Sequence, residues 1–467
     1  MIGLIGWPLL ALVAVVAFFG GVIHLAQAGM PLWVIDEHVH TDYVSHLWDG
    51  QLPYRGITYS ARVVYESDCG VGLVSASTAN CTGQPLGGPL AGSYSTAYIH
   101  YPTYFLLARL FISAPSGPGV DIGALRLFSS LVMLAGLASL WLLGLVARLR
   151  GAQLAAIVTV PAAAAIFFLM GGYFNPSTSS LALGALIAAG GLAWLRGRHG
   201  FWFFLIATAL ASVTAITSVM PAAAFFLYGL WVYGGRLLRR SRDSDWKPTW
   251  WQLALGALAV AGPWFVWGRW IAASATVGNG DLYEFGLRFA AVKSMGQLAR
   301  SLAMEAVTLH TPWYPVPIGT LPAAPTTWYT SAGNVQEAMP TLITLLVIGA
   351  LVTAVLARTG RAARSTTVDG LGIDGEVVQS LAGRDLAGVG AGLLLILWLY
   401  PPALHLTNAL TFGTDYPIVA RYSMAFTPLM VVLALKLVPQ RAYAWMLALS
   451  GIAMMAAMAY ALPLPAK

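Results

Sequence analysis

Tyr98-Ile99-His100-Tyr101-Pro102-Thr103-Tyr104-Phe105-Leu106-Leu107-Ala108-Arg109-Leu110-Phe111-Ile112 is apolar enough to be a membrane span and barely long enough to be one. It is entered through Pro102 and left through Ala114-Pro115-Ser116-Gly117-Pro118-Gly119. Both flanks break helices. Whether it crosses a bilayer sets the topology of everything after it.

The rest of the chain leaves no doubt about the class. Hydrophobic residues make up 58% of the 467 residues and charged residues 9%, against roughly 25% charged in a soluble domain. Apolar segments recur near 3–26, 122–147, 152–171, 174–195, 201–217, 218–235, 250–272, 338–357, 386–410, 417–437 and 442–461. Their lengths suit about 30 Å of hydrocarbon. A β-barrel would show short alternating segments instead. The first segment, Gly3 to Ala26, resembles a signal peptide without its charged n-region, and further spans follow, so it reads as a retained anchor.

Basic residues decide between the two topologies. If 98–112 crosses, Arg148/Arg150, Arg196/Arg198 and the Arg236–Arg242 run all fall outside, against the positive-inside rule. If it is an interfacial or re-entrant helix, eleven spans remain. Those groups then lie inside, together with Lys247, Arg358/Arg361/Arg364 and Lys436/Arg441. The second arrangement is the expectation: an all-α polytopic protein forming a single transmembrane domain over 1–467, with a cytoplasmic N-terminus and interfacial helices in its outer loops. The net charge of +7 is thereby an orienting pattern and points to no nucleic acid.

Three stretches lie outside the spans. Residues 27–97 form the first outer loop, in which His40 to Gly50 has the makings of an interfacial helix with Val44, Leu47 and Trp48 on one side. It holds both cysteines, Cys69 and Cys81. A disulfide there suits an oxidising exterior, and two idle thiols are the alternative. Residues 273–337 form the second outer loop, with an interfacial helix or pair of helices over 281–309, and with His310, Trp313 and Tyr314 as aromatics for a sugar face or a membrane belt. Residues 358–385 read as a mobile cytoplasmic linker. No nucleotide-binding glycine loop and no internal repeat stand out.

Chemistry concentrates after the first span, at Asp36-Glu37-His38-Val39-His40-Thr41-Asp42. Three of the chain's 18 acidic residues sit in these seven positions. A carboxylate at an interface can act as general base on an acceptor hydroxyl; adjacent acids at a span end can equally be solvated topology markers. Between Asp36 and Glu37, Asp36 lies nearer the bilayer. His38 and His40, with Asp36 or Asp42, could hold a divalent cation such as Mg, Mn or Ca, provided the segment is extended so that i and i+2 share a face. His40 could instead meet a phosphate or a sugar hydroxyl. On the same expected face lie His100-Tyr101-Pro102, Asn175-Pro176-Ser177, His310 and Arg421-Tyr422. The bland alternatives are interface anchors for the tyrosines, a helix cap for Asn175, and a snorkelling Arg421 paired to Asp415. Arg126 also sits near an outer span end.

This set resembles the GT-C superfamily of integral-membrane glycosyltransferases, and more narrowly the bacterial membrane-protein family called domain of unknown function 2142. The likeness is carried by Asp36-Glu37-His38-Val39-His40, His100-Tyr101-Pro102, Asn175-Pro176-Ser177 and Arg421-Tyr422, in that order over most of the chain. Two positions depart from the narrower family: Ser177 where an Asp is usual, and His38 where a Pro is commoner. The resemblance implies transfer of a sugar from a polyprenyl-phosphate donor to an envelope glycan or lipid acceptor, on the outer face of the plasma membrane. Asp36 or Glu37 would be the base. His40, Asp42, His100, Tyr101, Asn175, His310, Arg421 and Tyr422 would bind donor phosphate or substrate. An Ala-rich, basic chain is compatible with an actinobacterial cell-wall enzyme acting on arabinan or mannan, an arabinofuranosyltransferase among them. The rival class, a transporter or flippase of an envelope precursor, predicts charges and broken helices near mid-membrane. A non-catalytic scaffold predicts no need for the clustered acids and histidines.

Overall fold

The computed structural model describes residues 2–27, 32, 36–69, 90–197, 199–238, 246–277, 294–308, 313, 326–359, 383–412 and 420–460. Among the described residues the regular structure is helical, apart from one isolated antiparallel bridge between Thr58 and Tyr94. The helices are α1 (Ile2–Gln27), α2 (Glu37–Trp48), α3 (Ala61–Cys69), α4 (Thr103–Phe111), α5 (Ile122–Val146), α6 (Ala152–Ala162), α7 (Ala165–Gly172) and α8 (Ser180–Arg196). They continue as α9 (Gly200–Thr214), α10 (Met220–Leu237), α11 (Trp250–Ser274), α12 (Met295–Val307), α13 (Thr326–Thr359), α14 (Gly383–Phe412), α15 (Thr427–Leu437) and α16 (Arg441–Tyr460).

Among the described residues, seven helical segments are long and apolar enough to cross a bilayer: 6–27, 122–146, 176–196, 216–237, 340–357, 383–410 and 441–459. The chain is therefore a multi-pass helical membrane protein. An eighth candidate is the pair α6 and α7, bent by 66° at Ala163-Ala164. α9 and the 422–437 helix are apolar but shorter. α11 has the length, 25 residues, but five tryptophans and Arg269 dilute its hydropathy.

The ambiguous stretch forms α4, nine residues long, or about 14 Å of helix. That cannot cross about 30 Å of hydrocarbon. Tyr104, Phe105 and Ala108 face inward while Leu106, Leu107, Leu110 and Phe111 are exposed, so the helix is amphipathic. Several expected boundaries move. α2 starts at Glu37 and not at His40, and its residues 37–47 are buried beneath α3, α4 and the 97–99 turn. It is a packed element of the outer loop, not a helix lying on a membrane. α13 begins at Thr326, inside the expected second outer loop. The expected 417–437 span is a 3-10 segment, Ala420–Phe426, leading into the short, buried α15. Of the 281–309 helix only α12 falls among the described residues, and most of the 358–385 linker lies outside them.

The bundle has two chemically different ends. α5, α8 and α15 pack together and finish on one side. There the Arg196 Nη1 donates to the Val146 carbonyl at 2.5 Å, and Arg148, Arg196 and Lys436 act on one another as like charges. At the other end, α5 starts from Asp121, whose carboxylate caps the Ala124 amide at 2.9 Å. α8 is entered there through Asn175-Pro176, with Asn175 Oδ1 accepting from the Ser177 amide at 2.9 Å.

Close approach of α8 to the Ala420–Phe426 segment depends on Gly184. A Cβ there would strike the Ala425 carbonyl, which is backbone and cannot rotate away. We expect Gly184→Ala to destabilise by about 1–3 kcal/mol through overpacking, read as a lower thermal unfolding midpoint in detergent. An unchanged midpoint would mean the two segments can separate freely.

Candidate functional site

The polar end of the bundle is built on α2. Glu37, fully buried, meets Arg126 of α5 in a two-pronged pair: Nε to Oε1 at 2.9 Å and Nη2 to Oε2 at 2.6 Å. The Phe174 amide adds a third donor to Oε1 at 2.7 Å. Arg126 is itself 1% exposed and lies over the Tyr173 ring, 4.9 Å from its centroid. Burial pushes the Glu37 carboxyl up, and Arg126 and the Phe174 amide oppose that shift. One side chain thus ties the loop after α1 to α5 and to the break before α8. Expected as a base, Glu37 is fully engaged as a clamp. Arg126, its partner, which the sequence marked as a charge that either snorkels or does work near a span end, is buried in this pair.

Asp36 is different. It precedes α2 in a left-handed conformation, φ 61° and ψ 21°, which non-glycine residues seldom adopt. Its side chain makes no capping bond to α2 and is only partly buried. Strain of this kind concentrates at functional sites. The Asp36 charge acts on the neighbouring His38 imidazole.

The histidines follow from the helix. Residues i and i+2 are about 200° apart around an α-helix, so His38 and His40 point to opposite sides. The extended geometry needed for an Asp36/His38/His40 cation site is not adopted. Among the described residues no three His, Cys, Asp or Glu converge as a metal set. His38 stacks on Tyr59, with centroids 5.8 Å apart. His40 meets His100 edge-on at 4.8 Å and lies over Phe105 at 6.0 Å. Asp42 is engaged within the loop: Oδ1 accepts from the Ser60 amide at 2.7 Å, and Oδ2 lies 3.4 Å from His46 Nε2. Oδ1 is thus held by the loop's own backbone. On the same side of α2, Thr41 Oγ1 and Ser45 Oγ are buried without a hydrogen-bond partner among the described residues, leaving polar capacity beside His38.

Burial holds the His38 imidazole down at about 4, against the pull of Asp36 and Asp42. An unfolded chain takes up that proton near its ordinary value of 6.5, which the folded protein resists until about 4. Stability therefore drops as pH falls through that window. His46 has the opposite sign: burial lowers it, but its bond to Asp42 and the neighbouring charges win and raise it. Its contribution is full at low pH and is lost as pH rises through the raised value. We expect His38→Phe to flatten the acid limb of a midpoint-versus-pH curve; a limb of unchanged slope would assign it to other groups.

The remaining expected residues divide. Asn175 is 1% exposed; its amide donates to Ser129 Oγ at 3.3 Å, and that hydroxyl bonds Tyr104 at 2.6 Å. Asn175 is thus a cap and a strut beside Phe174 and the Glu37 clamp. His100 joins His40, whereas Tyr101 turns to α11 and stacks on Trp267 at 5.7 Å. Tyr422 is half-buried on a segment packed against α7 and the 176–179 turn. The Arg421 side chain, His310 and Cys81 lie outside the described residues. Cys69 is disulfide-bonded. Trp313 is no surface aromatic: it is 2% exposed and donates to the Val160 carbonyl at 3.0 Å.

Four stretches far apart in sequence thus come to one end of the bundle. Comparison with family models, with curated proteins and with solved structures returns no match for this chain.

Proposed function

We propose that this protein is a membrane glycosyltransferase of GT-C type. On this reading it moves a sugar from a polyprenyl-phosphate donor to an envelope glycan or lipid acceptor, at the extracytoplasmic face of the plasma membrane. The observation that carries the reading is the gathering of Asp36-Glu37, His100 and Asn175 at the end of the bundle opposite the basic Arg148/Arg196/Lys436 end, with Asp36 held in a left-handed backbone at the start of α2. Counting α6–α7 as one span and adding α9, α11 and the 422–437 helix gives the eleven-span topology that puts this end outside.

In the reaction, the Asp36 carboxylate accepts the proton of the acceptor hydroxyl. The acceptor oxygen bonds the anomeric carbon as the bond from that carbon to the donor phosphate oxygen breaks. Polyprenyl phosphate leaves with the electron pair. Glu37 and Arg126 act as positioning residues, holding α2 against α5. The test is transfer from radiolabelled polyprenyl-phosphate sugars to envelope acceptors by wild type and Asp36→Asn. Donor binding with transfer lost in the variant supports the reading. No transfer by wild type from any donor would sink it.

The flippase alternative draws on one observation, the 66° bend between α6 and α7. The bend falls at the buried residues Ala163 and Ala164, which supply none of the polar groups a transported headgroup needs.

A further inference from the structure

Three buried hydrogen-bond donors without a partner among the described residues lie on α11 and on the two segments that reach it: Trp267 Nε1, Tyr101 Oη and Arg55 Nε. Residues 57–59 run antiparallel to 93–95, through Ser95 amide to Ile57 carbonyl at 2.9 Å and Tyr59 amide to Ser93 carbonyl at 3.1 Å. Arg55 and Tyr101 therefore leave the paired segments at the same end. Both reach α11. The Arg55 carbonyl accepts from the Thr276 amide at 3.0 Å, just beyond the helix. Gly56, at φ 99°, allows that approach, since a Cβ there would strike the Thr276 and Val277 side chains. The Tyr101 ring stacks on Trp267, and Trp267 stacks on Trp270 with centroids 4.5 Å apart and planes 15° from parallel.

Tyr101 is 7% exposed, and its hydroxyl is buried with no hydrogen-bond partner among the described residues; the same holds for Trp267 Nε1 and Arg55 Nε. No carboxylate among the described residues pairs with Arg55. Native proteins rarely leave such groups unsatisfied. Aromatic residues of a membrane belt keep their polar tips wet, and these tips are buried. The orphans share a chemistry. A guanidinium, an indole N–H and a phenol all donate, burial having pushed the Tyr101 phenol up to about 12. Such a lining asks for a ligand rich in acceptors and carrying negative charge. The stacked rings offer faces to a hydroxylated ring. Next to them Trp264, Phe265 and Val266 are exposed on α11, a surface for a hydrocarbon tail.

We propose that the seam between α11 and the segments carrying Arg55 and Tyr101 binds the headgroup of a sugar-bearing lipid phosphate, with Arg55 on the phosphate and the Tyr101–Trp267–Trp270 stack on the sugar ring. The inference rests on the transferase reading for that lipid being the donor. It assigns Arg55, not Arg421, as the phosphate ligand.

The test is binding of four probes to the full chain in nanodiscs: undecaprenyl-phosphate glucose, undecaprenyl phosphate, undecaprenol and phosphatidylglycerol. Arg55→Gln is expected to weaken both undecaprenyl phosphates at least tenfold and leave undecaprenol unchanged, with Arg55→Lys recovering part of the loss. Trp267→Leu is expected to weaken only the glucose-bearing probe, several-fold, and Tyr101→Phe to do the same more mildly. Variants that keep the wild-type unfolding midpoint and still bind like wild type would overturn the proposal. So would phosphatidylglycerol binding as well as the undecaprenyl phosphates, which marks a general anionic-lipid contact. If these variants bind and transfer normally while Asp36→Asn does not transfer, the seam proposal falls and the transferase reading stands. If wild type binds no probe and transfers nothing, the transferase reading itself falls.

Discussion

Arg126→Ala is expected to be among the most destabilising single substitutions in this protein, by about 3–5 kcal/mol. The substitution leaves the Glu37 carboxylate buried with only the Phe174 amide as donor. An unpaired buried charge is far more costly than the pair it came from. The stacking of Arg126 on Tyr173 is lost as well. Glu37→Gln is expected to be milder, since the amide oxygen can still accept from Arg126 or Phe174. The pair as such is not expected to be strongly stabilising. Replacing both partners with apolar residues of similar volume, as in Glu37→Leu with Arg126→Met, should recover most of the loss. Thermal unfolding of wild type, Glu37→Leu, Arg126→Met and the double variant in one detergent gives the coupling directly. An Arg126→Ala midpoint close to wild type would show that the guanidinium does not clamp α2 to α5. Under that result Glu37 would return as a candidate base.

Asp36→Asn is expected to lower sugar transfer by about 10²–10⁴-fold, the range for loss of a general base, with the unfolding midpoint measured alongside. The side chain makes no capping bond to α2, so its removal leaves no cap bond unmade. Asn also tolerates the left-handed backbone at φ 61° about as well as Asp. The variant thus removes the charge without straining the backbone. Asp36→Ala does not, because a plain Cβ in that conformation costs about 1–2 kcal/mol. Comparing the two at matched folded fraction isolates the carboxylate. Transfer retained in Asp36→Asn would remove Asp36 from the reaction, whatever happens to stability.

Membrane class, approximate span positions and the shortness of α4 were legible in the sequence because each depends on local information. Hydropathy over about 20 residues reports a span, and Pro102 and the Pro115–Gly119 stretch bound α4 from within a few residues. The sorting of Arg148, Arg196 and Lys436 to one end was legible as well, since loop charge orients the chain. The clustering of acids and histidines after the first span marked the region of interest. The role of each member was not legible. Glu37 owes its role to Arg126, 89 residues away, and to Phe174, 137 residues away. Asp42 owes its role to Ser60 and His46. The divergence of His38 and His40 follows from α2 being helical and packed, where its polar composition suggested a surface element. Trp313 looked like an outer aromatic until the Val160 carbonyl took its indole. Sequence by itself determined the membrane class and where the long apolar helices fall, because the bilayer acts on each segment separately. Which carboxylates are bound into the fold, and by which partners, was decided only by tertiary structure, because a buried charge is satisfied by groups that folding alone brings within reach.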